Sequence, residues 1–355
     1  MKALLCKKHG PPESLVLEEV PDLVPGPGEV VIAVHAAAAN FPDTLIIENK
    51  YQFKPPLPFS PGGEVAGTIV AVGEGVVDHA VGDPVIGSCG WGGFAEQVKV
   101  PVRKLQRLPA GVAMDLAASL IMTYGTTHYA LTDRAQLQPG ETLLVLGAAG
   151  GTGLSAIELG KLAGARVIAA ASSDERLALC KRLGADETIN YATEDMRERL
   201  RELTGGRGID VVNDPVGGAY TEAAVRSMAW KGRLLVIGFT TGEIPKIALN
   251  LTLLKGCSLV GVFYGAFAEK EPARHRVLMD ELLGWLGSGR IRPAVTAHYP
   301  LEQASLALRE LADRRATGKI VITTALGRAA GGFAERAAGM PVARWIASRT
   351  HRKST

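Results

Sequence analysis

The stretch "TLLVLGAAGGTGLSAIELGKLAGARVIAAASSDER", residues 142–176, decides how this chain folds. A short apolar run, Thr142–Leu146, enters a glycine-rich turn. A helical stretch follows from about Thr152, and a second apolar run, Arg166–Ala171, ends it. Ala148, Gly150 and Gly153 stand in a GxGxxG-like register with alanine for the first glycine, and Gly151 and Thr152 lie between them. A chain built this way turns tightly out of a strand, brings its backbone close to a pyrophosphate and aims a helix N-terminus at that charge. Thr152 adds a hydroxyl.

The end of the second run selects the nucleotide. About 20 residues beyond the glycines, an NAD site carries Asp or Glu for the ribose hydroxyls. Here Ala171 stands there, followed by Ser172, Ser173 and, a little further on, Arg176. Serine hydroxyls with a forked cation suit a 2′-phosphate, which points to NADPH. A plainer reading is a helix start, with Ser172 and Glu175 as a capping box. Asp174 stays open as a ribose ligand.

Working outward, the alternation of strand and helix continues through "ETIN", "IDVVND", "GRLLVIGF" and "CSLVGVF". Six short, nearly all-apolar strands with intervening helices predict a doubly wound parallel sheet over residues 121–264. Upstream, "KALLC", "LVLEEV", "EVVIAVHAAAA", "EVAGTIVAVG", "PVIG" and "FAEQVKV" predict an antiparallel, barrel-like β unit over residues 1–120. No helical period is sustained there before about Met114. Residues 265–325 hold two helical stretches and a last strand, "GKIVIT", expected to return and complete the first domain. Residues 326–355 form an Ala/Gly/Arg-rich tail expected to be mobile.

Composition narrows the class. The chain has 355 residues, 47% of them hydrophobic, and no apolar run long enough to span a membrane, which makes a cytoplasmic protein the expectation. Of a net charge of +3, residues 327–355 carry +5, leaving the body at −2 and without a nucleic-acid face. The four cysteines form no CxxC pair, and the seven histidines show no HxxxH or CxxH spacing. No metal site is predicted. In "ANFPDTLIIENKYQF", spacing alone reads Asn40, Asp43 and Tyr51 as solvated polar groups in a turn.

Taken together, "ANFPDTL", "KPPLPFSPGGEVAG", "GGFAEQVKV", "TYGTTHYAL", the glycine turn, "LGADETINY", "NDPVGG" and "GRLLVIGF" resemble the medium-chain dehydrogenase/reductase superfamily. The resemblance is to its zinc-free branch of zeta-crystallin-like quinone oxidoreductases. It spans nearly all of residues 1–325. It implies a GroES-like β-barrel domain beside a Rossmann domain, and NADPH-dependent reduction of quinones or other conjugated carbonyls by a homodimer or homotetramer. Asn40 stands where zinc relatives carry a metal-binding cysteine, and Gly63 where they carry a histidine. By the same resemblance Ser172, Arg176 and Tyr191 surround the adenosine phosphate, with Lys319 adding charge there. Gly150, Gly151 and Thr152 hold the pyrophosphate. Thr127, Gly238, Phe239 and Phe263 lie beside the nicotinamide, and Asn40 and Tyr51 face the substrate carbonyl, with contact to the nicotinamide ribose as the alternative for Asn40. Two rivals remain: an enoyl-thioester reductase, and a non-catalytic NADPH-binding protein of the crystallin or RNA-contacting kind.

Overall fold

All six strands expected in the second half are present, and all run parallel. The computed structural model describes residues 1–331 and 333. Its strands are β1 (Lys2–Leu5), β2 (Val16–Glu19), β3 (Glu29–Ala39), β4 (Glu64–Val72), β5 (Pro84–Ser88), β6 (Gln97–Pro101) and β7 (Leu105–Arg107). They continue with β8 (Thr142–Leu146), β9 (Arg166–Ala171), β10 (Glu187–Asn190), β11 (Ile209–Asp214), β12 (Met228–Val236) and β13 (Ser258–Gly261). β14 (Val295–Pro300) and β15 (Lys319–Thr323) follow.

The described residues divide into two units, one of residues 1–122 with the chain from 279 onward, the other of residues 123–278. In the first, an order of β14-β15-β3-β4-β5-β7 surrounds the eleven-residue β3, which also pairs with β6. Only the β14–β15 pair is parallel. β15 lies antiparallel to β3, so "GKIVIT" does return to this unit. Its core includes Ile32, Ile69 and Phe94, all fully buried. This is the GroES-like domain.

The second unit is a Rossmann sheet in the order β10-β9-β8-β11-β12-β13. The direction of winding reverses between β8 and β11. In open parallel sheets ligands bind beyond the carboxyl ends of the strands at that switch.

Three expectations change. Helix Phe41–Ile47 forms well before Met114, because Asn40 and Asp43 supply a start signal, and at seven residues the helix is too short to show a sustained period. The second boundary falls at 278 rather than 264, because Tyr264, Phe267 and His275 pack with one another and Phe267 stacks on Tyr129. The tail starts later than 326: Ala325–Ala330 is a helix capped by Thr324, whose hydroxyl accepts from Gly327 N at 3.1 Å. Residue 332 and residues 334–355, where the rest of the tail was expected, lie outside the described residues.

Candidate active site

In the first unit, strand register gathers four polar side chains at one end of the sheet. Ala38 pairs with Glu64 across β3 and β4, and Ala39 with Ile320 across β3 and β15. Glu64 and Lys319 therefore flank the point where β3 runs out into Asn40. Exposures are 6% for Asn40, 3% for Asp43, 1% for Glu64 and 4% for Lys319.

Each polar group there is satisfied. Lys319 Nζ donates to Asn40 Oδ1 at 2.6 Å, to Glu64 Oε1 at 3.0 Å and to the Ala39 carbonyl at 3.5 Å. Asn40 Nδ2 donates to Glu64 Oε1 at 2.8 Å and to the Ala38 carbonyl at 3.2 Å. Glu64 Oε2 accepts from Met122 N at 2.9 Å. Asp43 accepts from Asn40 N at 2.8 Å and from Gly62 N at 3.1 Å. Gly62 has φ +94°, and a Cβ there would come within 2.5 Å of the Phe94 ring, so only glycine brings that N–H to Asp43.

Three expectations fall at this cluster. Asn40 and Asp43 are buried, not solvated, because the first helical turn closes over them. Asn40 also has no N–H left for a substrate carbonyl. Lys319 cannot serve an adenosine phosphate: its ammonium is buried and already engaged by Asn40 and Glu64. Glu64 escaped notice in the sequence; the available signal was a carboxylate at the head of the apolar run "EVAGTIVAV".

Tyr51 is half-buried against the same core, with Phe53 as its aromatic neighbour at 5.8 Å. Among the described residues its hydroxyl has no hydrogen-bond partner. Burial, and then the charge of Asp43, push its pKa up from the ordinary value, so the phenol keeps its proton at neutral pH. Cys89, whose thiol donates to the Gly62 carbonyl at 3.2 Å, is pushed up to about 12, chiefly by burial. It is an inert thiol.

Burial also pushes the Asp43 carboxyl up from 3.8 to about 7, against the opposing pulls of the Asn40 and Gly62 N–H groups and of Lys319. The native state then binds more proton than the unfolded chain between those values. The stabilisation is complete below about pH 4 and lost as pH rises through about 7. Urea unfolding of wild type and Asp43→Asn across pH should show this. Their difference in free energy is expected to shrink from about pH 4 to 7 and level off above. A difference constant across that window contradicts the linkage.

In the second unit, parallel strands place the other expected residues, Thr127 excepted, on the loops and helix starts that follow the carboxyl ends of the strands. The glycine turn follows β8, Ser172 follows β9, Tyr191 follows β10, Gly238 and Phe239 follow β12, and Phe263 follows β13. Ala148 is fully buried, and helix Gly151–Leu162 starts at Gly150 with no side chain capping it. The first N–H groups of this three-turn helix are thus open to an anion. A Cβ on Gly153 would lie 2.5 Å from the carbonyl oxygens of Gly147 and Ala148, so the helix can approach the strand this closely only with glycine there.

At the adenosine side, the capping box of Ser172 and Glu175 does not form. Ser173, in extended backbone, is the cap, and its hydroxyl accepts from Arg176 N at 3.4 Å. Ser172 is left exposed and outside the cap. Asp174 Oδ1 accepts from Asn190 Nδ2 at 2.8 Å, which ties that carboxylate to β10. The Tyr191 ring lies 4.3 Å from that of Tyr220.

Thr127 lies behind the glycine turn, its hydroxyl 3.4 Å from the Thr152 carbonyl it donates to. It is 0% exposed, and its hydroxyl shares a 2.7 Å hydrogen bond with Ser155 between two packed helices. A residue the sequence did not single out, Asp214, shapes the loop after β11: it accepts from Val216 N, Gly217 N and the Thr221 hydroxyl.

Comparison with known proteins decides the family. The alcohol dehydrogenase GroES-like domain matches residues 26–110 and the zinc-binding dehydrogenase family matches residues 151–279. A quinone oxidoreductase-like protein 2 homologue of Nematostella vectensis is 38% identical over 91% of this chain and 89% of its own. The chain belongs to the quinone oxidoreductases of the medium-chain dehydrogenase/reductase superfamily. An Escherichia coli quinone oxidoreductase, solved in complex with NADPH, superposes with a TM-score of 0.84 at 29% identity over 91% of this chain and 100% of that one. The CurK enoyl reductase superposes at 0.82 with 26% identity over 91% of this chain and 98% of its own. Although one matching family is described by zinc, no three His, Cys, Asp or Glu side chains among the described residues stand together as a metal site would need.

Proposed function

We propose that this quinone oxidoreductase-family chain is a zinc-independent reductase that uses NADPH to reduce a quinone or another α,β-unsaturated carbonyl compound. The observation that carries the reading is Tyr51: a protonated phenol, half-buried, with a hydroxyl committed to nothing else. NADPH, when bound, supplies a hydride. Tyr51 Oη donates a hydrogen bond to the acceptor's carbonyl oxygen, stabilising the negative charge that oxygen gains, and then passes its proton across. Water restores the proton to Tyr51. One such donor is worth about 10²–10³ in rate.

The cofactor fits the residues present. The uncapped start of helix Gly151–Leu162 suits a pyrophosphate, and Ser172 with Arg176 suits a 2′-phosphate. Replacing Arg176 by Ala is expected to weaken NADPH binding about tenfold while leaving NADH binding within about twofold, since only NADPH carries the extra phosphate. Equal losses for both nucleotides would make Arg176 a support of the fold.

Self-association follows from one edge of the second unit. Among the described residues β13 pairs only with β12, and Trp230, Leu253 and Leu254 beside it are each more than 70% exposed. An open strand edge flanked by large apolar side chains calls for a partner, and a second copy meeting it edge to edge closes a two-fold dimer. Sedimentation of Leu253→Glu should give the monomer mass where wild type gives the dimer. A monomeric wild type contradicts this.

The likeness to CurK favours one second reading, reduction of an enoyl thioester. Crotonyl-CoA turned over faster than any quinone would establish it.

A further inference from the structure

Most asparagines can rotate their amide by half a turn at little cost, because their neighbours accept and donate alike. Asn40 cannot. The atom facing Lys319 Nζ at 2.6 Å must be an acceptor, because an ammonium only donates. The atom facing Glu64 Oε1 at 2.8 Å must be a donor, because a carboxylate only accepts. The second N–H of the amide goes to the Ala38 carbonyl. Both partners are buried and held in turn, Glu64 by Met122 N and Lys319 by the Ala39 carbonyl.

We propose that Lys319 and Glu64 are positioning residues: their buried ion pair locks the Asn40 carboxamide with both N–H bonds turned inward, so that what Asn40 offers a ligand is its carbonyl oxygen. The ligand group that meets it is therefore a hydrogen-bond donor, such as a sugar hydroxyl or a carboxamide N–H, and never a carbonyl. Oδ1 has two lone pairs, and Lys319 takes one. The other, polarised by the adjacent ammonium, is the stronger acceptor for it. This rests on reading the cluster as part of a reductase site, and it divides the labour there: Tyr51 donates and Asn40 accepts.

The test is the double variant Glu64→Gln/Lys319→Met. It keeps the buried volume and removes both charges together, which usually leaves stability nearly unchanged. A glutamine can donate or accept and a methionine does neither, so the lock on Asn40 is gone. Selective ¹⁵N-asparagine labelling of wild type should show slow hydrogen exchange at the Asn40 side-chain amide. In the double variant that exchange should accelerate about tenfold or more, and kcat/KM for NADPH should fall about tenfold in a protein that still unfolds cooperatively. Fast exchange at Asn40 in wild type overturns the proposal without any variant. So does a folded double variant with wild-type exchange and wild-type kcat/KM. A wild type that protects the Asn40 amide yet reduces no acceptor contradicts the reductase reading and leaves the lock standing on its exchange rates.

Discussion

Replacing Tyr51 by Phe is expected to lower turnover of a good enone or quinone by about 10²–10³, with little change in stability. The ring's packing against Phe53 and the first-unit core survives the substitution, and the lost hydroxyl leaves no protein partner unsatisfied. What disappears is the hydroxyl that the proposed mechanism sets against the oxygen that becomes negative. KM for NADPH should stay within about twofold, because the loss falls on a contact made in the transition state. Turnover within about twofold of wild type would remove Tyr51 from the chemistry. Because burial and Asp43 hold the phenol proton above the ordinary value, the loss should be equally large throughout the neutral range.

Breaking the buried ion pair from one side has the largest expected effect on folding. Lys319→Met leaves Glu64, at 1% exposure, without its cation, and leaves Asp43 without the charge that helps it ionise. Removing one partner of a buried pair costs about 3–5 kcal/mol, a large part of a domain's net stability. Urea unfolding should show that loss in Lys319→Met and recover most of it in Glu64→Gln/Lys319→Met. A single variant within about 1 kcal/mol of wild type would mean that water or a shifted side chain replaces the ammonium.

How much of this could be read from the sequence depended on distance along the chain. The Rossmann sheet was legible because its signals are local: an apolar run, a glycine turn and a helix within 20 residues of one another. The return of "GKIVIT" to the first unit was legible as a leftover strand. The partnership of Lys319 with Asn40 and Glu64 was not, because it is made by strand register between residues 255 and 279 positions apart. The choice of Ser173 over Ser172 as the cap depends on which serine takes up extended backbone, and adjacent identical residues carry no signal for that. The full burial of Thr127 was hidden for a related reason. Its burial comes from the helix packed against it and not from its own neighbours in sequence.

NADPH oxidation followed by absorbance, against a naphthoquinone, an ortho-quinone, a simple alkenal and crotonyl-CoA with NADH as the parallel control, addresses the proposed reaction most directly. Turnover of a quinone or the alkenal with NADPH preferred is the expected result. A protein that binds NADPH and reduces none of the four, or that prefers NADH, would contradict it.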